Sequence, residues 1–258
     1  MITFKKGKKD RLLRPDEEKK TFGAGLNFAA SEAYRLLRTN LLFALPISSL
    51  HSGETCRVVG VTSSMSGEGK STTALNLGYV LAESGKKVLV VEADMRLPTI
   101  SGWLKLERRV GLSSLLAGLC TEGETIQPSG IQERLWIMNA GPIPPNPTEL
   151  LGSERMKTTL RNLAGACDFI ILDLPPVNEV SDALVASRLI HGMIMVVRQG
   201  YATRSSVGEA MREMENVGVK VLGFVMTHSE RQGTKYKSYY KGKYAYAKEG
   251  KDKAEPAV

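Results

Sequence analysis

The sequence predicts an α/β fold in which a mostly parallel sheet carries helices on both faces. Three observations predict it. Apolar strand-like runs alternate with helix-like segments along the chain, the pattern of parallel strands joined by crossover helices. One run, Val58–Val61, leads through Thr62-Ser63-Ser64 into Met65-Ser66-Gly67-Glu68-Gly69-Lys70-Ser71-Thr72-Thr73, a glycine turn with a lysine that opens a helix. Two acidic residues, Asp94 and Asp173, fall at strand ends, and in open α/β sheets ligands sit beyond the carboxyl ends of the strands.

The elements follow in order. Ser31 reads as the N-cap of a helix whose face carries Ala33, Leu36, Leu37, Asn40, Leu41 and Ala44 and which stops near Pro46. Residues 47–56 read as a loop. After the strand Val58–Val61, a helix spans Ser71–Ser84 and closes at Gly85. Lys87–Ala93 is nearly all apolar, as a buried parallel strand should be. Gly111–Leu119 reads as a short helix and Leu135–Ala140 as a strand. Gly141-Pro-Ile-Pro-Pro-Asn-Pro is a stiff turn before a helix over about Thr148–Leu163. Phe169–Leu172 is a buried strand, then come a helix near Ser181–Ile190, a strand Gly192–Val197, a helix Ser205–Val217 and a strand Val221–Met226.

With 258 residues the chain suits one α/β domain with tails, and 42% apolar content is ordinary for a soluble globular protein. No apolar run approaches the ~20 residues that cross a bilayer. The N-terminus Met-Ile-Thr-Phe-Lys-Lys-Gly-Lys-Lys lacks the apolar stretch of a secretion signal. Cys56, Cys120 and Cys167 have neither disulfide nor metal spacing and fit a reducing cytoplasm. The net charge of +8 is concentrated at the ends. Residues 1–20 hold eight Lys/Arg against four Asp/Glu, and residues 231–253 hold eight against two, which leaves 21–230 close to neutral. Basic ends suit an anionic surface or a peptide partner, and solvated tails equally.

The glycine turn predicts a phosphate cradle. Glycines let backbone N–H groups converge on an anion, and the helix N-terminus adds partial positive charge. Ser66, Gly67, Glu68, Gly69, Lys70, Ser71 and Thr72 would wrap the phosphates, with Lys70 reaching the β- and γ-phosphates and Ser71 ligating Mg²⁺. The pattern G-x-x-x-x-G-K-[ST] has Ser64 at its first glycine, so Gly67 is expected to supply the tight turn. Mg²⁺ keeps several waters, so a hydroxyl plus one or two carboxylates suffices to hold it. Asp173 is the expected Walker B carboxylate and Asp94 a second one beside the metal. Glu92 is placed to face the γ-phosphate as a base toward a hydroxyl, or is a buried acid paired with a neighbouring cation. Arg96 either stabilises phosphate charge or pairs with an acid, and Asp168, early in its strand, reads as structural.

Five of the eight tyrosines, Tyr236, Tyr239, Tyr240, Tyr244 and Tyr246, stand close together, interleaved with Lys235, Lys237, Lys241 and Lys243. Such a segment can bind nucleic acid by stacking and charge. In combination with the phosphate cradle it reads as a phospho-acceptor tail. Each phosphate adds about −1.5 to −2 charge. Two or three would therefore neutralise the tail.

Together these motifs resemble the bacterial tyrosine kinase (BY-kinase) family, of the CpsD/CapB type of capsule and exopolysaccharide autokinases, over about residues 30–246. Ser63–Thr73 matches its Walker A, Glu92-Ala-Asp-Met-Arg-Leu-Pro98 its second carboxylate motif, and Ile170-Ile-Leu-Asp-Leu-Pro-Pro176 its Walker B. Glu32-Ala-Tyr-Arg35-Leu-Leu-Arg38 resembles the family's E-x-x-R-x-x-R helix, which implies subunit contacts in a ring. The resemblance implies a P-loop NTPase fold of the ParA/MinD-like type, with ATP and Mg²⁺ as cofactors. It implies tyrosine autophosphorylation in trans on the tail, with Lys70, Glu92, Asp94 and Asp173 as the catalytic set. The expected partners are other copies of the chain, a membrane-embedded polysaccharide co-polymerase activator and further tyrosine-containing substrates, with no nucleic acid. A cytoplasmic protein recruited to the inner face of the membrane is expected. Its divisions are a flexible basic arm at 1–25, a P-loop kinase domain at 26–230 and a tyrosine-rich tail at 231–258.

Two departures stand out. The family usually carries Asp where this chain has Glu92, and related ATPases often carry Asn near Thr227 to read the adenine edge. The alternative is a non-kinase ParA/MinD-like P-loop ATPase switch. Met65 stands where those ATPases have a signature lysine, which argues against it.

Overall fold

The computed structural model describes residues 22–47 and 55–229. Along the chain come α1 (Phe28–Ala44), β1 (Arg57–Ser63), α2 (Lys70–Glu83), β2 (Val88–Glu92), α3 (Ile100–Trp103), α4 (Leu112–Leu116), α5 (Glu122–Thr125) and β3 (Ile126–Pro128). Then follow β4 (Leu135–Met138), α6 (Pro147–Leu151), α7 (Glu154–Ala164), β5 (Phe169–Asp173), α8 (Asp182–Ala186), β6 (Gly192–Arg198), α9 (Arg204–Asn216) and β7 (Val221–Thr227). The strands form one sheet in the order β3-β4-β2-β5-β1-β6-β7. All neighbours are parallel except β3, which runs antiparallel along β4.

Every residue of β1, β2 and β5 is buried. This follows from crossover helices covering both faces, which makes central strands apolar on each side. Successive side chains therefore feed two separate cores. Val59, Val61, Val88, Val90, Phe169 and Ile171 face α1 and α2. Val58, Leu89, Val91, Ile170 and Leu172 face the layer of α4, α6, α7, α8 and α9. Full burial of such a side chain is worth about 1.5–3 kcal/mol.

The strand order places the site. From β1 the chain crosses to β2 over the position of β5, and from β5 it crosses to β6 over β1. Directions of winding reverse around β1, and a crevice opens at the carboxyl ends of β1, β2 and β5.

Several boundaries differ from the sequence expectation. The first helix starts a turn early: Asn27, in an extended conformation, accepts from the Ala30 amide and is the N-cap in place of Ser31. The helix expected over Thr148–Leu163 is two. It breaks at Gly152, where Ser153 accepts from the Met156 amide at 3.1 Å and starts α7. The helix expected near Ser181–Ile190 ends early and finishes in a 3-10 turn at Ser187–Leu189. The short edge strand β3 and the four-residue helices α3 and α5 had no periodic pattern to announce them. The arm expected at 1–25 has its last residues packed. Phe22 stacks on Trp103 with ring centroids 5.3 Å apart, and the Gly23 amide donates to Asn76 Oδ1 at 3.0 Å. Residues 1–21 and most of the 47–56 loop lie outside the described residues.

α2 lies against the sheet through Gly78, where an added Cβ would stand 2.8 Å from Val90 Cγ2 and 3.1 Å from Leu135 Cδ1. Gly78→Val overpacks this contact and should cost about 1–3 kcal/mol. Urea unfolding should show a lower midpoint at an unchanged m-value.

Candidate active site

The loop between β1 and α2 has the shape of an anion cradle. Gly67 and Gly69 take φ of 81° and 95°, a left-handed conformation that side chains disfavour. Gly69 is the N-cap of α2, no side chain caps that end, and no acid lies in its first turn. Its first amides are therefore left for an outside anion. The absent first glycine is explained by Ser64, which is fully buried and donates its hydroxyl to Glu68 Oε1 at 2.5 Å. Glu68 also accepts from the Met65 amide at 2.7 Å and the Arg198 amide at 3.0 Å. Its side chain thus braces the loop from inside, and Glu68 faces the cradle through its backbone alone. The outer side is tied by Arg198, which donates to the Gly67 carbonyl at 3.2 Å and lies over the Tyr201 ring, and by Thr227, which donates to the Glu68 carbonyl at 2.8 Å.

Three charges meet beneath the cradle. Lys70 Nζ donates to Asp94 Oδ2 at 2.7 Å, stands 4.0 Å from Asp173 Oδ1, and is 3.5 Å from Ser71 Oγ. All four residues are buried. Burial pulls the Lys70 ammonium down, but Asp173 and Asp94 outweigh it and leave its pKa raised. Asp173 goes the other way: burial pushes it up to about 6, only partly offset by Lys70 and the Ser71 hydroxyl. Neither Asp173 oxygen makes a hydrogen bond of normal geometry.

An orphaned buried carboxylate beside a hydroxyl and a second carboxylate fits a hard cation. Ser71, Asp94 and Asp173 are the residues that would hold Mg²⁺. Among the described residues no group of three or more His, Cys, Asp or Glu could hold a metal. A set of two carboxylates and a hydroxyl suits an ion that retains its waters.

Glu92 does not stand where a base must. It is fully buried, and its Oε1 accepts from the Ile100 amide at 2.5 Å and the Ser101 amide at 3.3 Å. Its Oε2 accepts from the Ala140 amide at 3.2 Å. Both oxygens are committed to holding α3 and the end of β4. Arg96 pairs with an acid: it meets Asp182 at 2.9 and 3.1 Å, and Thr148 donates to the same carboxylate at 2.5 Å. Asp168 accepts from the Lys87 amide at 2.7 Å, the structural part expected of it.

Sequence reasoning missed Glu179, Asp182 and Arg198. Glu179 accepts from the Ser66 amide at 2.6 Å. None belongs to a motif with fixed spacing, and each reaches the site through a long-range contact.

On α1, Arg35 meets Glu32 at 2.7 Å and Glu83 at 3.2 Å, while Arg38 donates to the Val80 carbonyl at 2.9 Å. Within one subunit these charges tie α1 to α2 and stay half exposed. Tyr236, Tyr239, Tyr240, Tyr244 and Tyr246 lie outside the described residues. No described helix is long and apolar enough to cross a membrane.

Residues 56–217 match a family described as an AAA domain. Tyrosine-protein kinase YwqD of Bacillus subtilis is 37% identical over 210 residues, which is 81% of this chain and 86% of that protein. The putative tyrosine-protein kinase CapB of Staphylococcus aureus is 33% identical over 210 residues, 81% and 88% of the two chains. The kinase domain of Escherichia coli tyrosine kinase ETK superposes with a TM-score of 0.70 at 31% identity, covering 78% of each chain. The septum site-determining protein MinD of Pyrococcus horikoshii shares the fold, with a TM-score of 0.57, 23% identity and coverage of 72% and 76%. The seven-stranded sheet is thus a P-loop fold of the ParA/MinD-like type.

Because the folded Asp173 titrates near 6, above its ordinary 3.8, its protonated form is the one the fold favours. That contribution is present below pH 3.8 and is lost as pH rises through about 6. Nucleotide-free, chelated protein should therefore lose Tm between pH 5 and 7.5. Asp173→Asn should flatten that slope and raise Tm at pH 7.5 by several degrees in scanning calorimetry.

Proposed function

Because the chain belongs to the bacterial tyrosine kinases, it is a protein tyrosine kinase, and we propose that it transfers phosphate from ATP to the tyrosine cluster of its own tail, in trans between subunits. The observation that carries the nucleotide side is the buried set of Lys70, Asp94 and Asp173 under the glycine loop, with neither Asp173 oxygen in a hydrogen bond of normal geometry.

In this reading the amides of residues 67–72 and Lys70 hold the phosphates, the Ser66 amide being taken by Glu179. Ser71, Asp94 and Asp173 would hold Mg²⁺, which when bound would supply charge neutralisation for phosphoryl transfer. Lys70 is kept protonated by its two aspartates, so it stays a cation across the working pH range. Glu92 acts by fixing the backbone that carries Asp94. The tail at 231–258 supplies the acceptors, residues 26–230 form the kinase domain, and the basic segment at 1–25 is an arm. The α1 residues Glu32, Arg35 and Arg38 exchange their contacts within the subunit for contacts in a ring-like homo-oligomer. Regulation of capsule or exopolysaccharide synthesis, activation by a membrane-embedded co-polymerase and recruitment to the inner membrane face complete the proposal.

Full-length protein incubated with ATP and Mg²⁺, with and without an activator's cytoplasmic segment, should gain phosphate on residues 236–246 by mass spectrometry. Lys70→Met should lower labelling at least ~10²-fold. Replacing all five tyrosines by Phe should remove the tail label. Hydrolysis of ATP with no phosphotyrosine anywhere would instead favour a non-kinase ATPase switch.

A further inference from the structure

The displaced role of Glu92 leaves the reaction without a group to receive the acceptor's proton. Tyrosine has an unperturbed pKa of ~10. Help with its proton is typically worth 10²–10⁴-fold. The acceptor arrives from solvent, so the receiving group must be exposed, have a free lone pair and sit at the cradle. Most carboxylates around the site fail one of these conditions. Glu68 is buried and bound by Ser64, Met65 and Arg198. Glu92 is bound by three amides. Asp182 is buried and held by Arg96 and Thr148. Asp94 binds Lys70 with one oxygen and the Leu97 amide with the other, and Asp173 is sealed beneath the loop.

Glu179 meets them all. It is exposed, and one oxygen is pinned by the Ser66 amide of the cradle at 2.6 Å. Its other oxygen accepts no hydrogen bond from the described residues. The segment that carries it is laid along the loop by two more bonds: the Val177 amide donates to the Ser63 carbonyl at 2.9 Å, and Asn178 to the Ser64 carbonyl at 3.4 Å. Asn178 Nδ2 anchors the same segment to the Ser206 carbonyl at 2.8 Å. The carboxylate of this exposed residue is therefore held against the phosphate loop at Ser66.

We propose that Glu179 is a catalytic carboxylate of the phosphotransfer, orienting the acceptor tyrosine's hydroxyl and taking its proton. As the phenol oxygen bonds to the γ-phosphorus, its O–H bond breaks and the proton passes to Glu179. The bond from the γ-phosphorus to its bridging oxygen breaks with the electron pair leaving on ADP. Glu179 then returns the proton to water. The naming of the tail as the acceptor rests on the proposal above; the role of Glu179 does not depend on which tyrosine is used.

The test uses full-length chains: wild type, Glu179→Gln and Glu179→Asp as kinases, with the Lys70→Met chain as acceptor in trans. A free tyrosine peptide serves as a parallel acceptor. A fluorescent ADP analogue reports nucleotide affinity independently of turnover. Glu179→Gln should lower kcat ~10²–10³-fold on both acceptors. Its acceptor KM and analogue affinity should stay within about threefold, and Glu179→Asp should recover at least about tenfold of the lost rate. Unchanged kcat, a loss that tracks nucleotide affinity, or tighter analogue binding with faster labelling would each overturn the role. The last would make Glu179 an internal occupant of the anion seat. Wild type that labels the peptide but not the Lys70→Met tail would sink the tail-acceptor reading while leaving the Glu179 comparison intact.

Discussion

One buried ammonium between two buried aspartates is the constraint that the rest of the structure serves. Lys70, Asp94 and Asp173 carry a formal charge of −1 with almost no access to water. Removing charge from solvent costs several kcal/mol per ion unless partners replace the lost hydration. Asp94 has such partners in Lys70 and the Leu97 amide, whereas Asp173 has only the Lys70 charge at 4.0 Å and the neighbouring Ser71 hydroxyl, with no hydrogen bond of normal geometry. Apo protein therefore holds a proton there more tightly than an open carboxyl would. A cation bound at Asp173 and Ser71 would supply what the fold withholds.

Such a cluster is useful only if the backbone around it does not yield. Four other acids supply that stiffness by accepting backbone donors or an arginine. Glu68 gathers the loop and the end of β6, Glu92 joins α3 to the end of β4, Asp168 closes the start of β2, and Asp182 ties Arg96 to α6. Each donor left unsatisfied inside the protein would cost about 1–3 kcal/mol. The loops at the carboxyl end of the sheet are consequently set before ligand arrives, the condition under which fixed dipoles stabilise developing charge most effectively.

The parts that could be read from the sequence are those whose signal is local. Buried parallel strands, the glycine turn with Lys70 and the strand-end aspartates Asp94 and Asp173 are continuous motifs, and the sheet follows from their alternation. Arg96 and Glu92 were legible as acids and bases in need of partners, but Asp182 lies 86 residues from Arg96, and the Ala140 amide 48 from Glu92. No spacing rule reaches that far. The same holds for Glu179, whose contact with Ser66 spans 113 residues. The helix break at Gly152 was missed because a strong N-cap at Ser153 competes with continuous periodicity. The role of Ser64 at the motif's first glycine position was not legible, because its bond to Glu68 depends on Glu68 turning inward, away from the cradle it belongs to.

The last strand also ends beside the glycine loop. Thr227, the last residue of β7, donates to the Glu68 carbonyl at the rim of the loop. Tyr236 follows Thr227 by nine residues in the sequence. In the tail-acceptor reading this geometry couples reaction to release. The unmodified segment 231–253, with eight basic residues against two acidic ones, is attracted to a site loaded with triphosphate. Each phosphate added removes about 1.5–2 units of that charge. About three transfers bring the segment near neutrality, so in that reading a tail that binds because it is cationic is released by its own modification.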